Sequence, residues 1–306
     1  MTLPSPSLSP QSSAPKHKRS LDTHLFRVAA VTMCRGDHFF LKRWIDYYGK
    51  ALGKENLFII LDGEDEPSPP NGEGATILRV VHKELERAAG DKHRIGLLNQ
   101  LSFDLFQKGY QAVIGCDSDE FLVIDPKEGI SLVEYLQQLY LMGYTSASAL
   151  GIDVGQNLHT ERTIDPSLPL LAQRKYAVLS SRYTKASVKF LPQLRWGSGF
   201  HRIKGRNYKI APSLFLFHTG YSCESFLKKR EEDPARVNGG WENHLAKRGK
   251  TILYVTNKKA KQGDQLLRIS RFLQQIFRPI YALNKPLMPT PPIVIEIPKR
   301  FRQITF

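Results

Sequence analysis

Asp117, Ser118, Asp119 and Glu120 put three carboxylates into four consecutive residues, directly after the apolar run Ala112 to Cys116. Such a run reads as a buried strand, so Asp117 and Asp119, one residue apart at its end, can project into one crevice with Glu120 beside them. Like charges packed this closely repel, and a divalent cation is the usual remedy. Hard oxygen ligands suit magnesium or manganese, and an ion held this way can bridge a diphosphate. The same triplet also occurs as a solvated turn, so its context has to decide between the two.

The elements around it form an alternating series. Val28 to Thr32 is a β-prone run, followed by a helix with Phe40, Leu41, Trp44, Ile45, Tyr48 and Leu52 at helical spacing, which Asp37 can cap and Gly53 closes. Leu57 to Leu61 reads as a strand ending at Asp62-Gly63. A strand over Thr76 to Val81, a helix from Asp91 to Gln107 and the strand Ala112 to Cys116 follow. This order predicts an α/β fold, a mostly parallel sheet layered with helices, with ligands at the carboxyl ends of the strands. Three loops lie there: Met33 to Asp37, Asp62 to Glu66 and Asp117 to Glu120. After Phe121 the pattern gives a helix over Ser131 to Met142, a strand over Ser146 to Ile152, and a basic region from Arg174 to Lys209. A strand over Ser213 to Phe217 ends at His218, and a later helix carries Leu266, Ile269, Leu273 and Ile276 on one face with Arg268, Arg271 and Arg278 nearby.

With 306 residues, 41% of them hydrophobic, the chain can bury a substantial core. Its formal charge of +15 implies anionic partners. No nucleic-acid partner is expected, because neither zinc-finger spacing nor an aromatic RNA-binding signature is present. Cys34, Cys116 and Cys223 are odd in number and far apart, which suggests neither a disulfide framework nor a cysteine zinc site. No run reaches the ~18 apolar residues of a membrane span, and a cytoplasmic location is expected. Residues 1–24 read as a Ser/Pro-rich basic tail, 25–230 as the main domain and 231–306 as a helical, Pro-rich extension.

The segment Cys116-Asp117-Ser118-Asp119-Glu120-Phe121-Leu122 resembles the Asp-X-Asp-Glu-Phe-Leu motif of bacterial glycosyltransferases related to family two. The resemblance extends to Thr32-Met33-Cys34-Arg35-Gly36-Asp37 with Leu41-Lys42-Arg43-Trp44, and to Ile59-Ile60-Leu61-Asp62-Gly63-Glu64-Asp65; Gly36-Asp37 departs from that family's usual Asn-Glu. It covers residues 27 to 230 and implies a GT-A fold with a nucleotide-binding sheet and a C-terminal acceptor side. The implied activity is metal-dependent, inverting transfer of a sugar from a nucleotide-diphosphate donor to a glycan or lipid-linked acceptor.

By this resemblance Asp117 and Asp119 hold Mn2+ or Mg2+, and a histidine after a late strand completes the site, with His218 the first choice and His201 the second. Thr32, Arg35 and Asp62 contact the nucleotide, Asp65 supports its loop, and Arg94 binds base or phosphate. Lys189 or Arg94 assists the leaving diphosphate. Inversion needs a carboxylate base, for which Asp153 and Glu224 are the candidates. Each of these residues has an ordinary alternative: loop capping for the acids, a solvated helix end for Arg94, a structural hydrogen bond for His218. The basic helix near Arg268 is read either as a membrane contact or as a packed core helix with a solvated edge. A nucleotidyltransferase is the alternative enzyme, although it would show a Gly-rich phosphate loop after the first strand; a non-catalytic glycan- or nucleic-acid-binding protein is the third reading.

Overall fold

The computed structural model describes residues 26–238 and 240–306; the expected tail over 1–24 lies outside them. The fold is α/β, a central sheet flanked by helices. Its first half is built as the alternation predicts. Strands β1 (Val28–Cys34), β2 (Leu57–Asp62), β3 (Thr76–Val80) and β4 (Ala112–Gly115) run parallel in the order β4-β1-β2-β3. Helix α1 (His38–Leu52) buries Phe40, Leu41, Trp44, Ile45 and Tyr48 on one face of the sheet. Each such side chain contributes about 1.5–3 kcal/mol. Helix α2 (Arg87–Gln107) covers the other face and begins four residues earlier than the expected Asp91.

In the second half most strand pairings are antiparallel. Strand β5 (Glu120–Ile124) follows the acidic turn at once, where the sequence pattern predicts no strand. After α3 (Leu132–Leu141), capped by Ser131 and Glu134, come β6 (Ser146–Gly155), β7 (Tyr176–Leu179), β8 (Lys185–Lys189) and β9 (Ile210–His218). β8 runs antiparallel to both β4 and β6, β7 antiparallel to β6, and β9 lies between β5 (antiparallel) and β6 (parallel). The basic region therefore supplies two strands, because its apolar residues Ala177, Val178, Ala186 and Val188 pack into the core.

Helices α4 (Glu224–Glu231), α5 (Pro234–Asn238), α6 (Glu242–Asn257) and α7 (Gly263–Ile276) follow, with β10 (Lys261–Gln262) between the last two. The last strand, β11 (Ile293–Glu296), pairs antiparallel with β7, so residues beyond 231 extend the same sheet. Among the described residues no helix is long and apolar enough to cross a membrane.

Candidate active site

Strand pairing explains why the acids converge. On β9, His218 is in register with Glu120 of β5 on one side and with Asp153 of β6 on the other. The pairing of β4 with β8 matches Val113 to Lys189 and Ile114 to Val188, so Lys185 falls opposite the Asp117 end of β4. Helix α1 fixes the turn between β4 and β5. Trp44 Nε1 donates to Cys116 Sγ at 3.3 Å, Tyr48 OH accepts from the Leu122 N–H at 2.8 Å, and Tyr47 OH donates to the Leu122 carbonyl at 2.7 Å. Aromatic residues of one helix thus hold both ends of the acidic turn.

Each acid in this turn meets a cation. Arg94 Nη1 donates to Asp117 Oδ1 while its Nη2 donates to Asp91 Oδ1 at 3.0 Å, and Lys185 Nζ donates to Asp117 Oδ2 at 2.8 Å. Lys185, only 4% exposed, also lies 2.5 Å from Glu120 Oε1, an ion contact that lacks the alignment of a hydrogen bond. Arg230, from α4, reaches Asp119 Oδ2 at 3.1 Å and Asp37 at 3.4 Å. His218 sits between two carboxylates, Nδ1 at 2.7 Å from Asp153 Oδ1 and Nε2 at 3.6 Å from Asp119 Oδ2, with Tyr183 stacked on its ring at 3.8 Å between centroids. Thr251 Oγ1 donates to Asp153 Oδ2 at 2.5 Å.

The electrostatics follow from these pairings. Burial works against charge on Asp117 and Asp119, but Arg94 and Lys185 for the first, and His218 and Arg230 for the second, hold both well below the usual carboxylate range. Burial also opposes the charge on His218; Asp119 and Asp153 outweigh it and push the imidazole up to about 9. Glu120 goes the other way, raised by burial to about 7 against the pull of Lys185.

The remaining residues singled out by sequence are dispersed. Arg35, Asp62 and Asp65 form a clasp between the loops after β1 and β2. Arg35 donates to both Asp65 oxygens at 3.0 Å each and to the Asp62 carbonyl at 2.7 Å, and Asp62 Oδ2 faces His82 Nδ1 at 3.1 Å. Thr32 is wholly buried in β1, and its hydroxyl has no hydrogen-bond partner among the described residues. Lys189 is not brought to the acids. It lies four residues along β8 from Lys185, ~13 Å away at strand rise, where its Nζ donates to Ser102, to the Leu194 carbonyl at 3.0 Å and to Asn99 at 3.4 Å, 3.8 Å from the Trp196 ring. Burial pulls this lysine down to about 7.

The two candidate bases also separate. Asp153 lies inside β6 rather than after it, because the strand runs on to Gly155, whereas Glu224 on α4 is half exposed and pairs with Lys228 at 3.2 Å. Asp37 stands at the N-cap of α1 without a side-chain cap bond, its carboxylate turned to Arg230. His201 lines, among basic residues, the cavity that Asp153 also lines.

Three participants were not singled out from sequence: Lys185, Arg230 and Gly220. Lys185 sits in a basic stretch and Arg230 in a mixed-charge one, after Lys228 and Lys229, and nothing local marks either cation from its neighbours. Gly220 packs so tightly that a Cβ there would collide with Asp119 Oδ2 and crowd Arg230 and His218. The glycine two residues after His218 was the available signal.

The donor set fits a divalent cation. Asp117, Asp119 and Glu120 each offer an oxygen within 4.8 Å of the others, Glu120 Oε1 is buried without an aligned hydrogen bond, and a histidine oriented by a carboxylate is the usual arrangement around a metal. Both oxygens of Asp117 already receive protein donors, so ligation there requires Arg94 or Lys185 to release one.

No protein-family profile matches the chain, and no curated protein matches it. Among solved structures, mannose-1-phosphate geranyltransferase from Thermus thermophilus aligns with a TM-score of 0.30 and 9% identity, over 75% of this chain and 68% of that one. A CMP:2-keto-3-deoxy-manno-octonic acid synthetase complexed with CTP aligns with a TM-score of 0.30 and 11% identity, over 82% of this chain and 100% of the other. At those scores neither likeness bears on the chemistry of the site.

Proposed function

We propose that the chain is a GT-A-type glycosyltransferase that moves a sugar, with inversion, from a nucleotide-diphosphate donor to a glycan or lipid-linked acceptor. The observation that carries this reading is the convergence of Asp117, Asp119, Glu120 and His218 with Arg94, Lys185 and Arg230 at the carboxyl ends of β4 and β9, the edge where β1 and β2 present their loops. Asp117 and Asp119 would hold the metal, with Glu120 beside them, and His218 would join them on giving up its proton. When bound, a manganese or magnesium ion supplies positive charge to the leaving diphosphate.

The chain's own residues then have distinct roles. The loops after β1 and β2, clasped by Arg35 and Asp65, shape the nucleotide seat, where the Asp62 carboxylate can accept from a base N–H or a ribose hydroxyl. Arg94 and Lys185 are the cations within reach of a phosphate beside Asp117, which supports a proposal that Lys185 takes the part expected of Lys189. Of the two carboxylates available as a base, Asp153 is the one that adjoins both the acidic cluster and a large cavity. Positioning and charge stabilisation supply most of the rate in such a site.

The test is incubation with a panel of nucleotide sugars and manganese. Release of a nucleoside diphosphate from one of them is the expected result. Pyrophosphate release from a nucleoside triphosphate plus a sugar phosphate would make the chain a nucleotidyltransferase, and binding without turnover would make it a glycan- or nucleotide-binding protein.

A further inference from the structure

Helix α7 carries its apolar stripe on the outside. Its buried face includes Leu267, Ser270 and Gln274, and the polar members are satisfied internally: Thr184 Oγ1 donates to Gln274 Oε1 at 2.5 Å, and Gln274 Nε2 donates to Ser270 Oγ at 2.9 Å. Ile269, Phe272 and Ile276, at i, i+3 and i+7, are exposed. Residues 277–287 follow directly, a loop closed by the Leu287 N–H donating to the Phe277 carbonyl at 3.0 Å. On this loop Ile280 is 97% exposed, Tyr281 85% and Leu283 67%. Single exposed apolar residues are ordinary, but six large ones on consecutive elements mark an interaction surface.

The charge along this stretch of sequence has one sign. Between Asp264 and Glu296 the sequence contains no acid, while Arg268, Arg271, Arg278 and Lys285 all fall within that stretch. The same loop walls a cavity of about 670 Å3 through Tyr281, Lys285 and Leu287, and the lining also includes Arg182, Arg248 and Lys250. Among the described residues Asp153, bonded to His218, is the sole carboxylate in the lining. None of Arg182, Lys250 and Lys285 has an ion-pair partner among the described residues.

We propose that this face seats on an anionic membrane surface and that the cavity behind it receives the phosphorylated head of a lipid-borne acceptor. Ile280, Leu283 and Phe272 would enter the boundary between headgroups and acyl chains, with the arginines at headgroup level. Each Lys or Arg near such a surface adds roughly fivefold to partitioning. A head held by Arg182, Lys250 and Lys285 would present its sugar or hydroxyl toward Asp153. The word acceptor rests on the glycosyltransferase reading; the membrane seat and the anion pocket do not.

The test is sedimentation of the full chain with three vesicles: phosphatidylcholine alone, phosphatidylcholine with phosphatidylglycerol, and phosphatidylcholine with a polyprenyl monophosphate. The wild type is expected to partition at least about tenfold more strongly to both anionic vesicles than to the neutral one. Ile280→Asp with Leu283→Asp should abolish that preference at an unchanged melting temperature, since both side chains lie in solvent. Arg182→Ser with Lys250→Ser should remove any excess of polyprenyl phosphate over phosphatidylglycerol binding. Equal partitioning to all vesicles, or an unaltered preference in the aspartate variant, overturns the membrane seat. A wild-type dimer in analytical ultracentrifugation that the aspartate variant converts to monomer would give the face to a second copy instead. An undiminished polyprenyl phosphate excess in the serine variant overturns the pocket. Nucleoside diphosphate binding, measured on the same preparations, separates these outcomes from failure of the transferase reading: a wild type that binds anionic vesicles but no nucleotide leaves this proposal standing.

Discussion

Replacing Asp119 by Asn is expected to lower sugar transfer by about 10³-fold, the scale of losing a principal charge-stabilising group in a transition state. The fold should survive, for a reason visible in the ion pairs. Arg230 keeps Asp37 at 3.4 Å and His218 keeps Asp153 at 2.7 Å, so neither cation is stranded. The asparagine is also nearly isosteric and opens no cavity. Melting within a few degrees of wild type, together with near-complete loss of nucleoside diphosphate release, is the combined result to look for. Turnover within tenfold of wild type would remove Asp119 from the site.

The opposite behaviour is expected at Lys185, where the fold itself depends on the charge. Its ammonium lies 2.8 Å from Asp117 and 2.5 Å from Glu120, and Glu120 is fully buried. Removing one partner of a buried pair leaves the other uncompensated and costs about 3–5 kcal/mol. Lys185→Met should therefore lower the melting temperature by roughly 6–20 °C, taking 2–4 °C per kcal/mol for a chain of this size. Manganese should restore part of the loss, because a divalent cation then takes over the charge that the lysine supplied. A variant that melts with wild type, or that gains nothing from manganese while gaining from sodium at equal ionic strength, would contradict this account of the cluster.

The contrast between these two residues indicates what a sequence can disclose. β1, α1, β2, β3 and β4 were readable because each is a local pattern: Val28 to Thr32 is an uninterrupted apolar run, and Phe40, Leu41, Trp44, Ile45 and Tyr48 keep the helical period. β5 escaped because Glu120 to Ile124 is short, begins at a charged residue and is held by pairing with β9, some ninety residues further along the chain. The antiparallel half of the sheet rests on similar distant pairings.

Helix α7 shows the limit of periodicity. The spacing of Leu266, Ile269, Leu273 and Ile276 reads as one core-facing stripe, yet Ile269 and Ile276 are exposed while Gln274 is wholly buried. What decides the rotation is a partner for the Gln274 amide, and that partner is Thr184, ninety residues away. Within the site, the acids and His218 stood out because each follows an apolar strand. Lys185 and Arg230 did not, since a lysine or arginine among other charged residues has no local mark to say that it is buried against a carboxylate.

The central claim is that Asp117, Asp119, Glu120 and His218 form the seat of an ion that works on a nucleoside diphosphate. The direct measurement is a titration of Mn2+ by electron paramagnetic resonance, with and without a nucleoside diphosphate, on the wild type and Asp119→Asn. The account requires saturable binding that tightens when the nucleotide is present and weakens at least about tenfold in the asparagine variant, a difference of about 1.4 kcal/mol. Mn2+ binding that is equal in the two proteins, or that ignores the nucleotide, would contradict it.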